Sequence, residues 1–231
     1  MKILSEKELI WSPIVANNRM NRKRQLSGIN SYEKELGFDL EKWLLDRIEE
    51  KGRLRWLDIC CGEGHALSSF GKRCIELGID DQIELIGVDL VGMFVLNNAQ
   101  EYPFLQFITT AVEQWETNLS FDLITCIHGL HYIGDKLGCL QSVCTWLAKD
   151  GQFWGSLDLN DIRSPERKPW KKYLVQEWQQ STWTFLQRKH LLHIDGNQVW
   201  NNSFIYLGAN DEAGTNYSGQ EIVHSYYELK K

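Results

Sequence analysis

The sequence predicts a doubly wound α/β fold with a mostly parallel sheet, and three observations carry that prediction. A short apolar run, LRWLDI at 54–59, is followed at once by a glycine-rich turn, CCGEG at 60–64. Apolar residues then recur at helical spacing up to Gly78, and a second apolar run ends on the acid Asp89. Strand, tight turn, helix, strand and acid is the order that opens a doubly wound sheet.

Length and composition set the broad class of the protein. The 231 residues suffice for one domain with a core, and 43% of them are hydrophobic. No apolar run approaches the roughly 18 residues of a membrane helix, and the opening MKILSEKELIWSP lacks the pattern of a signal peptide. A net charge of −6 argues against broad nucleic-acid binding. We expect a single cytoplasmic domain over 1–231, with neither a nucleic-acid nor a membrane partner.

The cysteine pattern argues against a metal or disulfide framework. Structural zinc sites use ligands in spaced pairs, whereas Cys60 and Cys61 are adjacent and point to opposite sides of a strand end. His65 opens the next predicted helix and is interpreted as a surface residue. None of the six cysteines forms a C-x-x-C pair, so we expect reduced thiols and no metal site.

The segment before the first strand contains a predicted helix and a basic cluster. DLEKWLLDRIEEKG at 39–52 has Asp39 as a helix start and Gly52 as a stop. Four basic residues lie within Arg19 to Arg24. They form either a solvated helix turn or a binding site for an anion or a substrate carboxylate over the active site. The sequence leaves both interpretations open.

A dinucleotide site is the alternative interpretation of the glycine turn. Its G-x-G-x-x-G pattern requires a third glycine three residues after the second. Counted from Gly62 and Gly64, that position is Leu67. The missing glycine, together with Asp58 just before the turn, favours a different cofactor.

The glycine turn and two later segments resemble motifs of class I S-adenosylmethionine-dependent methyltransferases. LDICCGEG resembles the first motif, an acid followed by G-x-G-x-G, with Cys60 in the place of the first glycine. IGVDL resembles the second, in which Asp89 would bind ribose. FLQFITTAVEQW resembles the third strand and the adenine-contact turn. Thr110 there replaces the acid that family members often use for the adenine amino group.

The segment FDLITCIHGLHYIGD, at 121–135, resembles the fourth motif of the small-molecule methyltransferases. The following residues resemble the next helix and the fifth strand, so the four motifs cover 53–160 in order. The chain is identified on these motifs as a member of that family. The resemblance implies a Rossmann-like, seven-stranded sheet with an antiparallel hairpin at its C-terminal edge. It also implies an N-terminal cap with the first helix over 1–52, a cofactor-binding core over 53–160, and a substrate wall with the last strands over 161–231.

The resemblance further implies a cofactor and the residues that bind it. The cofactor would be S-adenosyl-L-methionine, with S-adenosyl-L-homocysteine as the product. The glycine turn and Asp58 would hold the amino-acid end, Asp89 the ribose, and the 110–112 turn the adenine. The complete expected set is Tyr32, Asp58, Cys60, Gly62, Gly64, Asp89, Leu90, Thr110, Ala111, Val112 and Cys126.

Two histidines are the candidate catalytic residues. His128 and His131 follow the fourth strand, and their spacing of three puts both on one face of a helical turn. Histidine is the side chain best suited to accept a proton near neutral pH. His131 aligns with a histidine common in the family and can equally be structural.

The predicted function is methyl transfer by SN2 displacement to a small-molecule or peptide acceptor at oxygen, nitrogen or carbon. The end of the fourth strand lacks the N-P-P-Y or D-P-P-Y tetrapeptide of enzymes that methylate nucleic-acid bases. The alternative is a methyltransferase-like binding or accessory protein without activity. The oligomeric state stays open.

The C-terminal third is predicted to complete the sheet and the substrate pocket. Trp170, Leu174, Trp178 and Phe185 recur at helical spacing, which indicates a helix over 170–187. A stripe of this kind usually packs in the core, but the same helix can also wall the pocket closed by a 14–36 cap. The turn signal at 195–197 predicts a hairpin between the flanking apolar runs. EIVHSYYEL is the expected last strand, after a long polar loop.

Overall fold

The structure of the chain, a computed structural model, describes residues 2–16, 23–96, 101–166 and 170–230. Its main sheet has seven strands in the order β3-β2-β1-β4-β5-β8-β7. The first five strands are parallel to one another, and β8 runs antiparallel to both β5 and β7. This arrangement confirms the predicted fold class. The strands are β1 (Leu54–Ile59), β2 (Ile83–Asp89), β3 (Leu105–Thr109), β4 (Phe121–Cys126), β5 (Leu147–Ser156), β7 (Trp183–Leu186) and β8 (Leu191–Asp195).

Helices cover both faces of the sheet. On one face, α3 (Tyr32–Leu36), α4 (Leu40–Lys51) and α5 (His65–Leu77) pack in one apolar cluster with Trp56 of β1. On the other face, α6 (Lys136–Trp146) and α7 (Trp170–Trp178) pack with Leu57 and Ile59 of the same strand. Successive side chains of β1 thus point to opposite faces of the sheet, and both faces are buried. Within the described ranges, no helix has the length and apolar character that crossing a bilayer requires.

The two helices that flank β1 begin and end close to where the sequence predicts. Asp39 caps α4 by accepting a hydrogen bond from the backbone N–H of Lys42 at 2.8 Å, and Gly52 ends the helix in the left-handed region. Gly78 ends α5 in the same way, with φ +68°. Both helix predictions are confirmed.

The edge hairpin is present, but it lies earlier in the chain than predicted. The hairpin consists of β7 and β8, with β8 next to β5. The turn signal at Asp195, Gly196 and Asn197 does not form a hairpin. The backbone N–H groups of Gly196 and Asn197 donate to the carbonyls of Gly151 and Ala148, at 2.8 and 3.0 Å. The prediction was wrong because this turn fastens the chain to the start of β5 instead of returning it along β8.

The helix predicted over 170–187 was also too long. It ends at Trp178, where Ser181 donates to the Trp178 carbonyl through its backbone N–H and its hydroxyl. Residues Trp183–Leu186 form β7 instead. Trp183 stacks on Trp178 with ring centroids 5.2 Å apart, so the aromatic spacing that indicated a helix reflects packing between a helix and a strand.

Both chain ends meet in a second sheet outside the main one. This sheet has three strands in the order β6-β10-β9: β6 (Ile162–Arg163), β9 (Phe204–Asn210) and β10 (His224–Leu229). Leu4, near the N-terminus, exchanges two backbone hydrogen bonds with Ala209 of β9, at 2.7 and 2.9 Å. The short helices α1 (Glu6–Leu9) and α2 (Pro13–Ala16) follow Leu4. The second sheet therefore holds the N-terminal segment in place, and we call these parts together the terminal cap (residues 2–16 and 204–229).

The glycines at the two ends of α5 provide a test of the packing. Gly64 and Gly78 both have left-handed φ values, +77° and +68°, but an added Cβ at Gly64 would meet the Phe107 ring, whereas at Gly78 it would meet nothing within 4 Å. We expect Gly78→Ala to lower the free energy of unfolding by about 1 kcal/mol through backbone strain. Gly64→Ala should lower it by roughly 1–3 kcal/mol more, because the ring must move. Urea denaturation of both variants measures this, and equal losses would contradict the packing role of Gly64.

Candidate functional site

A cavity opens at the carboxyl ends of the parallel strands. Its floor comes from the segments that follow β1, β2, β3 and β4, which is where ligands bind in sheets of this type. Helices α1 and α2, Arg24, Tyr32 and Gln220 form the rest of the wall. Parts of the chain that are distant in sequence therefore surround one space, of the concave kind in which ligands bind.

Most of the predicted site residues meet at this cavity. Three of the predicted cofactor residues, Asp58, Gly64 and Cys126, and one of the predicted catalytic residues, His131, do not line it. Gly64 packs against Phe107 instead. Their individual roles remain predictions. Those that line the cavity are Tyr32, Cys60, Gly62, Asp89, Leu90, Thr110, Ala111, Val112 and His128.

The turn after β1 depends on three left-handed backbone positions. Cys60, Gly62 and Gly64 have φ values of +57°, +63° and +77°. Glycine adopts this region without a steric penalty, whereas Cys60 is strained by its Cβ. The Asp89 carboxylate accepts the backbone N–H groups of Gly62 and Val91, both at 2.9 Å, and so fastens the turn to the end of β2.

The cysteines of the turn are packing residues. A Cβ added to Gly129 would lie 2.5 Å from the Cys60 Cβ and 2.7 Å from the Cys126 Sγ, so these three residues are in close contact. Burial raises the pKa of the Cys61 and Cys126 thiols well above their usual value, which keeps them protonated. The six cysteines are free, and the described residues contain no group of three or more His, Cys, Asp or Glu that could hold a metal ion.

Asp58 is completely buried and tied to two different elements. Its carboxylate accepts the Tyr32 hydroxyl at 2.7 Å and the Thr125 hydroxyl at 2.6 Å, and Thr125 in turn accepts the Trp56 indole N–H at 2.9 Å. Burial is the largest effect on this group and raises its pKa to about 7, against the two hydroxyl hydrogen bonds, which lower it. Tyr32 therefore stands between Asp58 and the cavity, which it lines.

A chain of charged residues links Tyr32's helix to the loop after β4. The Arg24 guanidinium lies 3.7 Å from Glu35, and Glu35 lies 3.2 Å from the Nε2 of His128. The hydrogen bond from His128 is the main cause of a lowered Glu35 pKa. Arg24 also lines the cavity, so one member of the predicted basic cluster reaches the site. Arg19 and Arg22 lie outside the described residues.

His131 forms a second histidine–carboxylate pair, behind the first. Its Nδ1 lies 3.2 Å from Asp161, and both side chains are completely buried. Burial lowers the His131 pKa, and the Asp161 carboxylate opposes that shift. The His128 and His131 rings are 5.7 Å apart between centroids. Only the first of them lines the cavity, which singles out His128.

The wall of the cavity differs from the predicted substrate wall. Helix α7 does not reach the cavity, because its apolar stripe of Trp170, Leu174 and Trp178 packs in the core, the other interpretation of this stripe. The wall comes from Leu9 and Ile10 of the N-terminal segment, Val15 of α2, and Gln220 of the loop before β10. The C-terminal loop reaches over the site because the Val223 N–H donates to the His131 carbonyl at 2.9 Å.

Sequence reasoning missed two carboxylates in the wall. Glu113 lies on the 3₁₀ helix Val112–Gln114, directly after the predicted adenine turn, and its acidic side chain was the available signal. Glu6 lies on α1 and also lines the cavity. Nothing local in the sequence indicates that Glu6 would line the same cavity as Glu113, because the second sheet, a long-range feature, positions the N-terminal segment at the cavity.

Comparison with known proteins places the chain among methyltransferases. A family model described as "Methyltransferase domain" matches residues 29–194, more than two thirds of the chain. No curated protein matches the sequence.

Three solved structures illustrate the structural likeness. The plantazolicin methyltransferase BpumL, in complex with a pentazolic desmethylPZN analog and SAH, is 17% identical with a TM-score of 0.40, over 50% of this chain and 44% of that chain. SAM-bound CalS10, an amino pentose methyltransferase from Micromonospora echinaspora, is 19% identical with a TM-score of 0.39, over 58% and 56%. Coclaurine N-methyltransferase bound to N-methylheliamine and SAH is 14% identical with a TM-score of 0.40, over 58% and 37%. The match thus covers about half of the length of such proteins.

The buried state of Asp58 predicts an unusual pH dependence of stability. Its folded pKa of about 7 exceeds the ordinary value of 3.8, so the folded chain binds this proton more tightly than the unfolded chain. Asp58 therefore favours folding at acidic pH, and this stabilisation is lost as the pH rises from about 4 to about 7. The full effect is on the order of 4 kcal/mol.

Thermal denaturation at pH 4 and pH 8 tests this. The melting temperature of Asp58→Asn should fall less between the two pH values than that of the wild type. The exposed Asp81→Asn serves as the control and should behave like the wild type. An identical pH dependence for wild type and Asp58→Asn would rule out the shift.

Proposed function

The chain belongs to the methyltransferase-domain family, and we propose that it transfers a methyl group from S-adenosyl-L-methionine to a small-molecule or peptide acceptor. The family match confirms the class of enzyme that the motifs predict. The observation that supports the proposal best is the cavity, in which the glycine turn, Asp89 and His128 line the same space.

The residues around the cavity fit the parts of this cofactor. Asp89 lines the cavity with its carboxylate already held by Gly62 and Val91, in position to accept ribose hydroxyls. Arg24 has a buried Nε without a hydrogen-bond partner among the described residues, which suits a carboxylate such as that of the methionine end. The backbone of Ala111 and Val112 is left to meet the adenine.

When bound, the cofactor would supply a methyl group on a positively charged sulfur; an acceptor nucleophile would form a bond to the methyl carbon while the carbon–sulfur bond breaks, with S-adenosyl-L-homocysteine as the leaving group. The chain's own contribution is to align donor and acceptor and to exclude water. Leu9, Ile10 and Val15 provide the apolar part of that enclosure. Tyr32 and Tyr132 line the same space, and aromatic rings are suited to a nearby positive charge.

We assign the proton-accepting role to His128 rather than His131. His128 lines the cavity, and its Nδ1 has no hydrogen-bond partner within the described part of the chain. Glu35, 3.2 Å from Nε2, orients the ring as a positioning residue. An acceptor that must lose a proton during transfer would deliver it to His128. His131, held by Asp161, supports the loop from behind.

The first test concerns cofactor binding. Asp89→Ala should weaken S-adenosylhomocysteine binding by roughly 1–3 kcal/mol in calorimetry, because a charged hydrogen-bonding partner is lost. The matched control is Asp81→Ala, which lies before the opposite end of β2 and away from the cavity. Absence of any heat or thermal shift with the wild type would contradict the proposed cofactor.

The second test concerns catalysis and uses a metabolite library, with S-adenosylhomocysteine release as the readout. His128→Ala should lower the turnover by about 10²–10⁴-fold and leave cofactor affinity nearly unchanged. Glu35→Gln should give a smaller loss and alter the pH–rate profile, since it acts through the ring. Wild-type turnover in both His128→Ala and His131→Ala would show that alignment alone performs the transfer. Absence of turnover by the wild type on every acceptor would favour a binding protein.

A further inference from the structure

The residues that line the cavity are almost closed off from solvent. Asp89, Ala111 and His128 line it, yet each is only 7–8% exposed. Exposure this low indicates that the wall closes around the space, so we expect part of the wall to move when a ligand enters or leaves. Loops that move in this way control access to many enzyme sites.

One part of the wall is a small hairpin in the loop between β9 and β10, residues 214–222, which we call the strap. The Ile222 N–H donates to the Gly214 carbonyl at 3.1 Å, and the Asn216 N–H donates to the Gln220 carbonyl at 2.9 Å. Both hydrogen bonds lie within the strap. The strap can therefore move as a unit without breaking them.

The two ends of the strap differ in how firmly they are attached. Ile222 and Val223 are buried, and the Val223 N–H donates to the His131 carbonyl at 2.9 Å. Gly214 has φ +85°, and a Cβ added there would meet no described atom within 4 Å. The C-terminal end is thus packed, whereas the N-terminal end is open, which favours rotation of the strap about Ile222 and Val223.

Gln220 is the residue of the strap that lines the cavity. Its Oε1 accepts the Tyr132 hydroxyl at 3.5 Å. A hydrogen bond of this length is weak. Movement of the strap would therefore carry Gln220 away from the wall at little cost.

A closer contact holds the turn of the strap. The Tyr217 ring stacks on the His190 ring, with centroids 3.8 Å apart and an angle of 9° between the planes. It also meets the His131 ring edge-on at 5.8 Å. His190 directly precedes β8, and its carbonyl accepts the Leu157 N–H at 2.8 Å. The stack therefore ties the strap to the main sheet, and a single aromatic pair is weak enough to open reversibly.

We propose that the strap is a gate over the cavity, held shut by the stack of Tyr217 on His190. When the stack opens, the strap turns about its buried end and moves Gln220 out of the wall, which admits or releases a ligand. The gate controls access and takes no part in making or breaking bonds. It requires a ligand-binding cavity but no particular cofactor, so only the second arm of its test rests on the proposed function.

The test uses the full chain with Tyr217→Ala, which removes the stacked ring, and with Tyr217→Phe, which keeps it. Tyr173→Ala is the matched control, because Tyr173 is an exposed tyrosine of α7 that does not line the cavity. Thermal denaturation checks that each variant is folded.

The first arm needs no ligand and measures the rate at which N-ethylmaleimide labels Cys60, which lines the cavity. Peptide mass spectrometry quantifies the labelling, and Cys74, buried in α5, reports on general unfolding. Tyr217→Ala should label Cys60 about three to ten times faster than the wild type, because loss of the stack raises the open fraction. Tyr217→Phe and Tyr173→Ala should label at the wild-type rate, and Cys74 should stay equally protected in every protein.

The second arm measures the kinetics of S-adenosylhomocysteine binding by stopped-flow tryptophan fluorescence. A gate limits both entry and exit. Tyr217→Ala should therefore raise the association and dissociation rate constants together, about three- to tenfold, with Kd nearly unchanged. A strap that only contacts the ligand would raise the dissociation rate constant alone.

An unchanged labelling rate of Cys60 in Tyr217→Ala, or an unchanged association rate constant, would overturn the gate. Faster labelling of Cys60 and Cys74 together would also overturn it, because that result shows a general loss of structure. A wild type that binds no S-adenosylhomocysteine would contradict the proposed cofactor, and the labelling of Cys60 then decides on the gate alone.

Discussion

The buried Asp58 carboxylate is the interaction on which the rest of the site depends. It joins β1 to β4 through Thr125 and joins both strands to α3 through Tyr32. A carboxylate without water is costly unless its oxygens are hydrogen-bonded, so the loss of either hydroxyl would leave it unsatisfied. The position of Tyr32 over the cavity is therefore fixed by the sheet beneath it, and α3 brings Glu35 to His128 from that position.

The backbone around Asp58 explains why this end of the sheet can receive a ligand. The left-handed residues Cys60, Gly62 and Gly64 form a tight turn directly after β1. The Asp89 carboxylate holds this turn by accepting the Gly62 N–H. Cys60 adopts the strained conformation because its neighbours Cys126 and Gly129 pack tightly around it. Strain at a binding turn persists only where the surroundings enforce it, and here the enforcing contacts come from β4 and its loop.

The sequence predicted the features that local chemistry determines. Helix caps at Asp39, Gly52 and Gly78, and the apolar runs of the parallel strands, are local signals, and the fold class followed from their order. The errors concern long-range partners. The turn at 195–197 has the composition of a hairpin, yet its backbone bonds go to the start of β5. Likewise, an aromatic stripe cannot reveal that its last member, Phe185, belongs to a strand that packs on the helix.

The difference between local sequence signals and long-range partners also applies to the residues of the site. Apart from Arg24, the residues that we assign to the cofactor lie within the family match over 29–194, and most of them follow strand ends that any doubly wound sheet presents. The terminal cap lies outside that match, and it supplies Glu6, Leu9 and Val15 to the wall. Two backbone hydrogen bonds between Leu4 and Ala209 secure these residues, and they link the first and last parts of the chain. The motifs lie within the family match and identified the reaction class, whereas the wall that the terminal cap supplies carries no motif, so the acceptor stayed open.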